Sequence, residues 1–159
     1  MSGAPVEELL LARASWSRLA EPGDTVAGAL TAAMGPVDAW RLVVEAAGGS
    51  PTALLGAGRA LPGSPRAVHR LTAALERWRP RLATVDAARA LDGHRTRGGD
   101  LLVPEDPRWP TGLGDLGTEA PHALWVVGDA VAPARAADGV AVIGARACTR
   151  YGEHVTADL

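Results

Sequence analysis

The sequence predicts an α/β protein: an all-helical module over residues 1–94, a linker over 95–100, and the incomplete opening of a parallel α/β sheet over 101–159. Three observations carry that prediction. Residues 5–91 show apolar positions at helical spacing, cut by Gly and Pro. At Thr-Arg-Gly-Gly-Asp, residues 96–100, the texture changes to short apolar runs. The last of those runs passes through a glycine into a further helix.

The elements follow in order. Leu9, Leu10, Ala12, Trp16 and Leu19 recur near a 3.6-residue period, so Glu7 to Leu19 reads as a helix ended by Pro22-Gly23. Asp24 is placed to cap Thr25 to Met34, and Gly35-Pro36 closes that helix and opens Val37 to Ala47. Ser50-Pro51 and Ser64-Pro65 repeat one start signal, a capping hydroxyl before a proline whose missing N–H costs nothing in the first turn. About five helices result. Their pairing through Gly-containing turns resembles SAM-like and helix-hairpin-helix modules, which can track DNA backbones with loop N–H groups. Trp16, Trp40 and Trp78 lie on apolar stripes and are expected in the core. Beyond the linker, Leu101-Leu102-Val103, Ala123 to Val127 and Val140 to Ile143 read as strands, and a helix follows from about Thr149.

Composition bounds the chemistry. The 159 residues are 47% hydrophobic, enough for one ordinary core or two small ones, and with no Phe the packing is of small side chains around five Trp. Cys148 is the sole cysteine, which excludes an intramolecular disulfide, and Glu7 and Glu8 stand where a secretory signal needs positive charge. A cytoplasmic protein with no membrane partner is expected, since no apolar stretch approaches the roughly 20 residues that span a bilayer. His69, His94, His122 and His154 are scattered without ligand spacing, so no metal and no cofactor is expected. The net charge of −2 conceals nine arginines between positions 56 and 97, against Glu76, Asp86 and Asp92. That segment is either a solvated face or a basic surface for nucleic acid.

The stretch "VAVIGARACTRYGEH", residues 140–154, concentrates the remaining chemistry. A strand that turns through glycine into a helix aims several N–H groups at one point, where the helix dipole adds positive potential. Gly144 allows close backbone approach, Ala145 keeps the turn small, and Arg146 offers a planar fork that can grip a phosphate. Thr149 is placed to cap the helix with its hydroxyl near the anion. The dinucleotide fingerprint is absent, because Arg146 stands where its second glycine would be. The plainer reading is a structural turn whose Arg146 pairs with Glu153 or a helix end.

The string "LLVPEDPRWPTGLGDLGTEAPHALWVVGD", followed by "VAVIGARACTRYGEHVTADL", is similar to the DprA/Smf DNA-processing family. Its pattern runs from an aromatic-proline step through a Leu-rich turn to a proline before an apolar strand ending Gly-Asp or Gly-Asn. Val-Gly-Ser-Arg and Thr-x-Tyr-Gly then follow. Trp109-Pro110, Pro121, Gly128-Asp129 and Gly144-Ala145-Arg146 stand at those positions, with Ala145 in place of the usual serine. The resemblance implies an extended Rossmann-like domain that binds single-stranded DNA and helps load RecA recombinase during natural transformation. It implies no catalytic residue, a phosphate contact for Arg146, and Gly144 and Ala145 lining that pocket. Members continue with further strand-helix units and form dimers, so the chain is expected to be an N-terminal portion. The other function class is a Rossmann-type, phosphoribohydrolase-like nucleotide enzyme, which would need catalytic carboxylates that the sequence does not display. A third reading makes residues 1–94 a self-sufficient interaction module.

Overall fold

The structure, a computed structural model, describes residues 3–60, 66–139 and 149–157. Helices α1 (Gly3–Leu19), α2 (Thr25–Met34), α3 (Pro36–Ala47), α4 (Pro51–Ala60), α5 (Ala67–Leu82) and α6 (Ala87–Thr96) precede strand β1 (Gly99–Leu102). A 3₁₀ segment (Thr111–Glu119), strand β2 (Leu124–Val127), a second 3₁₀ segment (Ala132–Asp138) and helix α7 (Arg150–Ala157) follow. The molecule is therefore mostly helical with a small sheet, compatible with the α/β class.

Local chemistry sets the helix ends. Asp24 Oδ1 accepts from the N–H groups of Val26 and Ala27 at 3.1 and 3.3 Å, which satisfies two donors that the first turn of α2 leaves open. Gly35 adopts φ 80°, a conformation costly for side chains, and lets Pro36 begin α3 directly. Ser50 Oγ accepts from Ala53 N–H at 3.3 Å. The Ser64-Pro65 start lies outside the described residues.

The principal core gathers α1 to α5 around Trp16, Leu19, Leu30, Val43, Leu71 and Trp78. Trp16 is fully buried, and its ring meets those of Trp40 and Trp78 edge-on at 5.7 Å each, an arrangement the ring quadrupoles favour. A second core joins Leu10, Leu11 and Ala14 of α1 and Leu91 of α6 to Leu101, Val103, Ala123 and Trp125. Helix α1 is thus apolar on two faces, and the described strands pack their buried residues against α1 and α6.

Three expectations require correction. The helices run to Thr96, and among the described residues six precede β1 where about five were expected. Gly99 and Asp100, read as linker, are strand residues paired with Val127 and Val126. The two described strands pair antiparallel, where the sequence reading expected a parallel sheet. The cause lies in the connection. Parallel strands need a crossover, usually a helix on the sheet face, but the 3₁₀ segment between them docks on α2 and brings the chain back beside the end of β1. The third expected strand, Val140 to Ile143, lies outside the described residues.

His94 binds α6 to this strand pair. Its Nε2 lies 3.1 Å from Asp100 O and 2.9 Å from Val126 O; both partners are carbonyl acceptors, so Nε2 carries the proton and donates to both strands. Gly99 passes over the ring, and a Cβ there would come within 2.3 Å of His94 Nε2.

His122 follows the 3₁₀ segment and is buried, its ring tilted over Trp16 at 5.5 Å. Burial first, and the charge of Arg13 second, push its pKa down from 6.5 to about 4, with Asp24 pulling weakly the other way. Above pH 6.5 the ring is neutral whether folded or unfolded, so it adds no pH dependence. Between 6.5 and 4 the unfolded chain takes a proton that the folded chain refuses. Stability should fall by about 3 kcal/mol across that window through this group alone. Urea midpoints for the wild type and His122→Gln against pH check it; parallel curves would refute it.

Candidate nucleic-acid interface

Of the four residues expected to meet phosphate, Gly144, Ala145 and Arg146 lie outside the described residues. Thr149 is described. Its Oγ1 accepts from Gly152 N–H at 3.3 Å and its carbonyl from Glu153 N–H at 3.0 Å, so it caps α7 as its position predicted. Tyr151 is 77% exposed, leaving its ring accessible at the first turn of α7.

The loop after β1 is built on charge pairs. Arg108 donates to Asp106 through Nη2 at 2.7 Å and Nε at 3.0 Å, and to Asp100 through Nη1 at 2.6 Å. Those hydrogen bonds hold the Asp106 carboxyl below the usual carboxylate range and raise the Arg108 guanidinium above its ordinary value. Asp106 Oδ1 also accepts from Arg108 N–H at 2.8 Å, closing the turn around Pro107. Glu105 accepts from Arg13 of α1, with Nε at 3.2 Å. Glu105 and Asp106 are therefore both occupied in holding the loop.

The arginine-rich segment divides in two. Arg77 pairs with Asp24, Arg81 with Glu21, and Arg95 with Glu7, whose hydrogen bond raises the Arg95 pKa. Arg59, Arg70, Arg79, Arg89 and Arg97 make no salt bridge among the described residues. Two of these, Arg89 and Arg97, line a groove of about 620 Å³ with Arg18, Asp86, His94 and Trp125. Sequence reasoning isolated the Arg-rich stretch but missed the groove, because Arg18 and Trp125 come from distant parts of the chain.

Among the described residues no group of three or more His, Cys, Asp or Glu side chains could hold a metal ion. No helix among them is long and apolar enough to cross a membrane.

The family DNA recombination-mediator protein A has a sequence model that matches residues 100–159, from the second residue of β1 through α7. Through this segment the chain is similar to the DprA family. The proteins carrying the name DNA processing protein DprA in Mycobacterium tuberculosis strains CDC 1551 / Oshkosh and ATCC 25618 / H37Rv are each 41% identical over 73 residues. The alignment covers 40% of this chain and 19% of each relative, so the chain spans about a fifth of the length of these relatives. No solved structure matches the chain. The DprA match covers the strand pair from Asp100 onward, the loop braced by Arg108 and the segment with Gly144, Ala145 and Arg146.

Proposed function

We propose that the chain takes part in DNA processing as a single-strand-binding recombination mediator, acting in the cytoplasm by binding and without a catalytic step. The family match across residues 100–159 carries this reading, because it spans the whole Gly144–Thr149 turn. Residues 1–94 would form the SAM-like module, 95–100 its junction, and 101–159 the opening of a Rossmann-like DNA-binding domain. Arg146 would grip a backbone phosphate, with Gly144 and Ala145 keeping the turn open and Thr149 ordering the helix behind it. Phosphate recognition of this kind holds any sequence and weakens with salt, as befits a protein that covers incoming single strands and loads RecA onto them. A homodimer of the complete relative is part of the same reading.

Filter binding of an oligothymidylate to the wild type and Arg146→Ala tests it. Loss of one single-strand phosphate contact should weaken binding about fourfold at 0.15 M salt and flatten the log–log salt slope by about 0.7. Unchanged affinity and slope would remove Arg146 from the interface.

A further inference from the structure

We propose that the groove between α6, the end of α1 and β2 is a second phosphate-backbone site, in which Arg18, Arg89 and Arg97 hold single-stranded DNA beside Trp125. The groove is established independently of the turn at Gly144; its occupant rests on the DNA-binding reading above.

Arg89 and Gly93 on α6, and Arg97 at its C-cap, are spaced every four residues and line one side of the groove. The two arginines stand about 12 Å apart along the helix axis. Gly93 between them carries no side chain to fill the space. Arg18, in the last turn of α1, faces the same groove from the other side. All three guanidinium-bearing residues are exposed, and none makes a salt bridge among the described residues. The one carboxylate in the lining, Asp86, accepts from Arg89 N–H at 2.9 Å and caps α6. Three like charges around one concavity, with their only acidic neighbour engaged by backbone, form a site for a polyanion whose phosphates match the guanidinium fork.

The aromatic component favours a single strand. Trp125 is half-buried and fixed from two sides: Nε1 donates to Ser17 Oγ at 3.0 Å, and the ring meets His94 edge-on at 5.2 Å. A ring already immobilised loses little entropy when a base packs on it, and only unpaired bases offer a free face. A basic groove with an adjoining aromatic is the usual construction of single-strand sites.

Fluorescence anisotropy of the full chain with a labelled oligothymidylate of about 20 nucleotides tests the proposal. Arg89→Ala/Arg97→Ala, both exposed positions, should weaken binding about tenfold at 0.15 M salt and flatten the salt slope by about 1.4. Arg59→Ala/Arg70→Ala removes the same charge elsewhere and should change neither by more than about twofold. Far-ultraviolet circular dichroism confirms that each variant folds. If Arg146→Ala weakens binding while Arg89→Ala/Arg97→Ala leaves it intact, the groove is not a DNA site and the turn reading stands. If the groove variant loses binding and Arg146→Ala does not, the proposal stands and the turn reading fails. Equal loss in the Arg59/Arg70 control, or an equal groove effect on duplex DNA, overturns the single-strand assignment.

Discussion

Trp16→Ala should destabilise the protein by about 4 kcal/mol, as a loss of urea midpoint at constant slope. Trp16 has no exposed surface and stands where Trp40, Trp78 and His122 converge. Removing the indole opens a large cavity among rings that cannot all collapse inward. It also removes the donor to Pro36 O, 3.0 Å from Nε1, leaving the carbonyl at the start of α3 without that partner. The variant should also titrate differently. His122 owes its low pKa mainly to burial, so space beside its ring admits water and returns the pKa toward 6.5. The pH dependence between 6.5 and 4 should therefore shrink with the stability. A loss below about 1 kcal/mol would mean that the three-ring contact is not the centre of the core.

The parts of this fold that the sequence announces are those decided within a few residues. Asp24, Gly35-Pro36 and Ser50 act on N–H groups two or three positions away, so the helix ends they set are visible in a linear string. Trp16, Trp40 and Trp78 reveal themselves by spacing. Antiparallel pairing is another matter, for Leu102 meets Leu124 only after a turn segment has docked on α2. Gly98-Gly99 looks like linker because glycine is conformationally permissive, but the need at Gly99 is steric: the His94 ring lies under it. No local pattern states that requirement. Thr149 was legible as a helix cap for the same reason as Asp24, whereas the groove was not, since Arg18, Arg89 and Trp125 meet only in three dimensions.

Gly28→Ala separates local propensity from packing. In an open helix this change stabilises by about 1 kcal/mol, because alanine restricts the unfolded chain and glycine does not. Gly28 lies inside α2, so propensity alone forecasts a more stable protein. Packing forecasts the reverse. A Cβ at Gly28 would stand 1.9 Å from Thr118 O, 2.7 Å from Thr118 C and 2.9 Å from Thr118 Cα. These are backbone atoms, so no rotamer change relieves the overlap; α2 and the 3₁₀ segment must part. Parting them strains the hydrogen bond from Gly23 N–H to Glu119 O, 3.2 Å, and draws His122 away from Trp16. The net expectation is destabilisation of 3 kcal/mol or more, above the usual range for an added methyl because backbone rather than a side chain must yield. Proteolysis should become faster between Val103 and Ala123 before the helices open, since the docking of that connection is what the methyl disrupts. A Gly28→Ala protein more stable than wild type would show that the segment matched to the DprA family does not seat on the helices through Thr118.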